Sequence, residues 1–189
     1  MTLVVAVADE VRAVMGGDSG STSPTTVGMV TLRNPKVFRA GSFVVGFALS
    51  WRFGQILQYH VDWPEPEPGC DLMRFAITEI GPRIRAAVVE HGFMAPQDDN
   101  TKRDAQAILA VGNQIFGING RLEVAQLQEP YVAIGSGHPV AYGSLYATQA
   151  LTGLSLERRV EIALEAGCEY VAGLRRPFII EATAPPSHG

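Results

Sequence analysis

Strand-like and helix-like patterns are segregated along this chain, and that segregation limits its fold more than any other feature. A strand-rich region spans 2–47, a pair of helical segments spans 50–92, a second strand-rich region spans 105–135 and a second helical pair spans 139–172. A short strand over 178–182 completes the order. Runs of strands favour antiparallel sheets over a doubly wound parallel sheet. We therefore predict an α+β fold, a four-layer αββα sandwich of two packed sheets with helices outside.

Local signals indicate where several elements begin and end. Ser50 and Asp71 are suited to N-cap helices, and Pro82 predicts a kink in the second helical segment. Asn119-Gly120 is typical of a type I′ hairpin turn. At the N-terminus, an apolar run over 2–8 returns as a second strand over 11–17, with the tight turn expected at Asp9-Glu10.

The composition excludes several classes of function. Hydrophobic residues make up 47% and charged residues 18% of the 189 residues, which is typical of one globular domain spanning 1–189. No apolar run approaches the roughly 20 residues of a membrane span, and the first residues lack the basic region of a signal peptide. We therefore expect a cytoplasmic protein with no membrane partner. A net charge of −4 gives no basic surface for nucleic acid.

Two short motifs suggest serine hydrolases, but their contexts exclude this. Gly17-Asp18-Ser19-Gly20 resembles the nucleophile motif of chymotrypsin-like proteases, yet no histidine precedes it in the chain. The segment Gly135-Ser136-Gly137 lacks the outer glycines of a nucleophile elbow. The four histidines also lack the spacing of zinc ligands, so we predict no metal site and no cofactor.

Thr2 is the residue that most strongly indicates an activity. If Met1 is removed, Thr2 carries both a nucleophilic hydroxyl and a free α-amine, whose usual pKa is about 7.7–8.0. The amine then serves as the base for its own hydroxyl. Lys36, one of only two lysines with Lys102, is the candidate cation that keeps this amine neutral. Asp18 follows the second strand of the hairpin and is placed to pair with Lys36.

These residues carry a resemblance to proteasome β-subunits and to their bacterial relative HslV, along nearly the whole chain. In those families an N-terminal threonine begins a strand and a G-D motif follows about sixteen residues later, as Gly17-Asp18 does here. Lys36-Val37 resembles the family's K-V pair. The segments 46–49 and 133–137 resemble its G-F-A-G and A-I-G-S-G motifs.

The resemblance implies catalytic roles for four side chains. Thr2 matches the nucleophile, Asp18 and Lys36 match the catalytic aspartate and lysine, and Ser136 matches the serine that assists proton movement near the threonine amine. It also implies that maturation requires only the removal of Met1.

The resemblance further implies a substrate-binding set. The backbone N–H of Leu49 is expected to form the oxyanion hole, although a leucine stands where the family has glycine. Thr22 matches the strand that binds the substrate backbone. Phe47 is expected to line the pocket for the residue before the scissile bond, with a preference for apolar or small side chains.

The implied function is a threonine-type endopeptidase that degrades proteins or peptides inside stacked rings of identical subunits. A ring-shaped ATPase is a further expected partner. Two alternatives stay open: a catalytically silent ring that serves as a scaffold, and an N-terminal-nucleophile amidohydrolase that acts on a small amide.

Overall fold

Eleven strands and five α-helices form the described part of the chain. The structure is a computed structural model that describes residues 1–22, 28–95 and 105–184. The strands are β1 (Leu3–Ala8), β2 (Ala13–Gly17), β3 (Gly20–Thr22), β4 (Met29–Thr31), β5 (Val37–Ala40), β6 (Phe43–Ala48), β7 (Gln106–Val111), β8 (Gln114–Ile118), β9 (Val124–Gln126), β10 (Tyr131–Gly135) and β11 (Ile179–Ala182). The helices are α1 (Trp51–Tyr59), α2 (Leu72–Phe75), α3 (Gly81–Glu90), α4 (His138–Thr148) and α5 (Leu156–Tyr170).

The strands form two main antiparallel sheets. The first sheet has the order β10-β1-β2-β11 and the second has the order β5-β6-β7-β8-β9, while β3 and β4 pair separately. Helices α1 and α3 pack on the outer face of the second sheet, and α4 and α5 pack on the outer face of the first. The predicted αββα sandwich is confirmed.

Strand β1 lies at the centre of the sandwich and is buried on both faces. Its side chains alternate, as in any strand: Leu3 and Val5 face α4 and α5, whereas Val4 and Ala6 face the second sheet. Every residue of β1 is buried, which explains its uninterrupted apolar sequence. The strand therefore provides a rigid support for Thr2, which precedes it.

The turn of the first hairpin is centred on Glu10 and Val11, one residue later than predicted. Asp9 donates its backbone N–H to Arg12 O at 3.0 Å. The Asp9 carboxylate also accepts the N–H groups of Val11 and Arg12, each at 2.8 Å. This side-chain turn satisfies donors that a turn at Asp9-Glu10 leaves free, which accounts for the shift.

The helix caps agree with the sequence, and the predicted kink takes an unexpected form. Ser50 accepts the N–H of the third residue of α1 at 3.2 Å, and Asp71 accepts two N–H groups in the first turn of α2. Between α2 and α3, residues Ala76–Ile80 form a π-helical segment immediately before Gly81 and Pro82. Proline cannot donate to the preceding turn, so the hydrogen-bond ladder is interrupted at this point.

Two local expectations about the strands are wrong or incomplete. The loop after β8 is a three-residue hairpin: Leu122 N donates to Asn119 O at 2.9 Å, and Leu122 has a positive φ of 64°. This is a type I turn followed by a left-handed residue, so the type I′ prediction is wrong. The second difference is the β3–β4 pair, which the Gly/Ser/Thr-rich sequence around it does not indicate.

Candidate active site

The cleft at the start of β1 contains Thr2 and several other predicted site residues. Its volume is about 260 Å³. It lies where the N-terminus, β3, the end of β6 and the loop after β10 meet. The lining residues are Met1, Thr2, Ser21, Thr22, Leu49, Trp51 and Ser136. Four of the predicted residues, Thr2, Thr22, Leu49 and Ser136, are thus brought together from four separate stretches of chain.

Thr2 is held by the loop that contains Ser136. The Thr2 N–H donates to Ser136 Oγ at 3.2 Å, and Ser136 Oγ donates to Thr2 O at 3.2 Å. Gly135 makes this approach feasible because it has a φ of +90°, and a Cβ atom there would lie 2.3 Å from Thr2 O. The serine hydroxyl therefore lies at the nitrogen that becomes the α-amine once Met1 is removed.

Asp18 lies opposite Leu3, one residue from Thr2. Its backbone N–H donates to Leu3 O at 3.1 Å, and the Leu3 N–H donates to Asp18 Oδ1 at 2.9 Å. The other carboxylate oxygen, Oδ2, accepts the N–H groups of Gly20 at 2.8 Å and Arg175 at 3.2 Å. Several donors therefore fix the orientation of the carboxylate.

Lys36 lies immediately before β5 and is buried beside Asp18. Its Nζ donates to Asp18 Oδ1 at 2.7 Å, to Gly20 O at 2.6 Å and to Met1 O at 3.3 Å. These three bonds use all the donors of an ammonium group. Burial lowers the pKa of Lys36, and the neighbouring Asp18 carboxylate opposes that shift. The site therefore holds a desolvated lysine whose ion-pair partner is Asp18.

The hydroxyl of Thr2 and the ammonium of Lys36 converge on one oxygen atom. Thr2 Oγ1 donates to Met1 O at 2.8 Å, and Lys36 Nζ donates to the same oxygen at 3.3 Å. Because both groups reach one acceptor, they are close enough to act on the same small group. With Met1 attached, the Thr2 nitrogen is a peptide N–H and is not a base.

Leu49 adopts a backbone conformation that is rare for a leucine. Its φ is +74°, and Ser50 N donates to Ala48 O at 3.0 Å across it. These features define the strained, positive-φ form of the γ-turn. The Leu49 N–H has no acceptor within the described residues. A free backbone donor at the edge of the cleft is suited to bind a developing negative charge.

The structure does not place Phe47 in the cleft. Phe47 is buried in the core between the second sheet and α1, because its side chain points to the helical face of β6. The Phe47 ring packs edge-on against Trp51 at a centroid distance of 5.4 Å. Trp51, which the sequence analysis missed, lines the cleft instead. One signal in the sequence indicates this position. Ser50 is suited to cap a helix, so Trp51 is expected to be the first helical residue, only two residues after Leu49.

In residues 1–22, 28–95 and 105–184, no cluster of three or more His, Cys, Asp or Glu side chains is arranged to hold a metal ion. Within the same ranges, no helix is both long and apolar enough to cross a membrane.

Comparison with known proteins gives similarities in sequence and in structure. No protein-family model matches the chain. The ATP-dependent protease subunit HslV of Treponema denticola is 29% identical over 177 residues, covering 91% of this chain and 92% of the relative. The structure of Thiobacillus denitrificans BPH in complex with epoxomicin has a TM-score of 0.78 and 22% identity, covering 96% of this chain and 98% of that one. HslV from Trypanosoma brucei has a TM-score of 0.67 and 19% identity, covering 95% and 98%.

Together these findings agree with the architecture of the sandwich. Both the sequence relative and the solved structures are matched over more than nine tenths of their lengths. The chain has the αββα fold of the proteasome-subunit type of N-terminal-nucleophile hydrolase, and it resembles the HslV subunits along nearly its whole length.

Proposed function

We propose that this chain, once Met1 is removed, is a threonine-type endopeptidase that acts in the cytoplasm. The observation that carries the proposal is the convergence of Thr2 Oγ1 and Lys36 Nζ on the Met1 carbonyl oxygen. Removal of Met1 frees that position and converts the Thr2 nitrogen into an α-amine. A nucleophile, a base and a cation then meet at one point.

The proposed reaction is acyl transfer. The Thr2 amine accepts the proton of the Thr2 hydroxyl, and Oγ1 attacks the carbonyl carbon of a peptide. The Leu49 N–H stabilises the negative charge on the tetrahedral intermediate. The amine then returns the proton to the leaving nitrogen, the C–N bond breaks and an ester on Oγ1 remains. Water hydrolyses this ester and restores the hydroxyl.

Three other groups support these steps. Lys36, held by Asp18, favours the neutral amine because two cations at this distance repel each other. Ser136 Oγ, at 3.2 Å from the Thr2 nitrogen, orients the amine and relays its proton. Thr22, on β3 at the edge of the cleft, binds the backbone of the substrate.

The experiment that tests this proposal uses a peptide epoxyketone, which reacts with both the hydroxyl and the amine of an N-terminal threonine. The purified protein is incubated with the inhibitor and its intact mass is measured. We expect an adduct on the chain that lacks Met1. Thr2→Ala is the control, since alanine also permits removal of Met1 but provides no hydroxyl. A chain without Met1 that forms no adduct contradicts the proposal.

The assembly is part of the proposal. The Treponema relative is named as a subunit of an ATP-dependent protease. By analogy, we propose stacked rings of identical subunits that enclose the cleft and receive polypeptides from an ATPase ring. Native mass spectrometry tests this assembly, because a monomer at micromolar concentration is incompatible with an enclosed site.

A second function is favoured by one feature, the strained turn at Leu49. If that turn prevents substrate binding, the chain is a catalytically silent ring that serves as a scaffold. The intact mass of protein isolated from its own host separates the two functions. A chain that keeps Met1 in the host cannot use the Thr2 amine, whereas quantitative loss of Met1 counts against the scaffold.

A further inference from the structure

The position of the substrate residue before the scissile bond follows from the reaction, and this inference rests on the proposed function. The carbonyl carbon of that residue must reach Thr2 Oγ1 while its oxygen reaches the Leu49 N–H. Its Cα is bonded to the same carbon, so its side chain must lie among the walls of the cleft nearest to Leu49. Leu49 itself and Trp51, two residues further along, line the cleft there.

Trp51 is a fixed wall because it is held from several sides. As the first residue of α1, it follows the Ser50 N-cap. Its ring meets the buried Phe47 ring edge-on, and Lys36 Nζ lies 5.8 Å from its centroid on a cation–π contact. Gly54 makes room for Phe47, because a Cβ there would lie 2.2 Å from that ring. The indole therefore cannot retreat into the core.

Leu49, in contrast to Trp51, has a large apolar side chain that the rest of the protein covers only in part. It is 54% exposed although it lines a cleft with buried polar neighbours. Its γ-turn fixes the direction of the Cα–Cβ bond, and the conformation is costly for any residue other than glycine. A strained conformation at a site points to a role there, because the surrounding structure must maintain it.

We propose that the Leu49 side chain and the Trp51 ring form a size filter, which admits small residues before the scissile bond and excludes long aliphatic and aromatic ones. The methyl groups at the end of the Leu49 side chain form the mobile wall of this filter, and the Trp51 ring forms the rigid wall. A hydrophobic wall discriminates by size at about 10-fold to 200-fold per methylene group. The filter therefore selects substrates by the size of this side chain and not by its charge.

The first arm of the test measures hydrolysis of fluorogenic peptides that differ only before the scissile bond, with Ala, Leu or Phe there. We expect the wild type to prefer Ala over Phe by at least about tenfold in kcat/KM. Leu49→Ala keeps the backbone N–H and is expected to reduce that preference about tenfold, and Trp51→Leu to reduce it in the same direction. Leu151→Ala is the matched control, since Leu151 is 55% exposed and does not line the cleft.

The second arm measures binding in the Thr2→Ala background, where hydrolysis is impossible. Labelled peptides ending in Ala or Phe are titrated, and their Kd values are compared with and without Leu49→Ala. If the wild type hydrolyses nothing but the Kd ratio falls when Leu49 is shortened, the proposed function fails and the filter stands. Ratios that stay within about twofold in both Leu49→Ala and Trp51→Leu overturn the filter, as does a wild-type preference for Phe.

Discussion

Lys36 Nζ lies 2.7 Å from Asp18 Oδ1, and the two side chains are 1% and 0% exposed. A pair so deeply buried is costly to break, because the remaining charge has no solvent to stabilise it. Asp18 also ties β1, β3 and the 175 region together through its hydrogen bonds. The pair is therefore a structural element as well as part of the proposed chemistry.

Asp18→Asn is expected to lower the free energy of unfolding by about 3–5 kcal/mol, since it leaves a buried lysine without a counter-charge. Urea denaturation measures this change. The double variant Asp18→Asn/Lys36→Met should lose much less than the sum of the two single variants, because no isolated charge remains. Additive losses would show that the two groups are independent.

The stability of the protein should depend on the titration of Lys36. Burial lowers its pKa in the folded chain below the ordinary value of 10.5, so the unfolded chain binds more protons between those two pKa values. The free energy of unfolding contributed by Lys36 therefore rises with pH through that window and is lost as pH falls. Urea titrations of wild type and Lys36→Met, compared at each pH, measure it. The prediction is contradicted if the free energy of unfolding of the wild type, minus that of Lys36→Met, falls as pH rises.

Ser136→Ala should slow formation of the epoxyketone adduct by about 100-fold while hardly changing stability. The hydroxyl contacts both the nitrogen and the carbonyl oxygen of Thr2, so its loss removes the proton relay. Ser136 is exposed, so shortening its side chain leaves no cavity in the core. Intact mass followed over time gives the rate. Ser144→Ala, on the following helix α4, is the control and should react at the wild-type rate.

Leu49→Gly should be more stable than Leu49→Ala by about 1 kcal/mol, because glycine adopts a positive φ without strain. Thermal unfolding of the two variants measures the difference. The same pair at Leu151, which is not among the positive-φ residues, provides the control. There the order should reverse, since glycine loses more conformational freedom on folding. Equal stability of the two Leu49 variants would mean that the turn relaxes.

The architecture and most element boundaries could be predicted from the sequence because their signals are local. Ser50 and Asp71 cap helices through side chains that contact the next turn, and such contacts depend on a few neighbouring residues. The apolar run of β1 likewise indicates a strand buried on both faces. The β3–β4 pair was missed because its partners are joined through a segment of small residues that carries no periodicity.

The residues of the candidate site could also be predicted from the sequence, but the contacts around them could not. Thr2, Asp18 and Lys36 stand out by residue type and by position along the chain. Nothing local indicates that the Arg175 N–H donates to Asp18, or that Gly20 O accepts from Lys36. Those contacts depend on where distant segments meet.

Apart from β3 and β4, the sequence by itself determined the order of strands and helices, and it determined the candidate nucleophile and the charged pair beside it, since each follows from residue type, periodicity and spacing. Only the tertiary structure decided which side chains line the cleft. It buried Phe47, placed Trp51 in the cleft and put Leu49 into a strained γ-turn. The physical reason is that side-chain direction at the end of β6 depends on the packing of two sheets and α1, which no local pattern encodes.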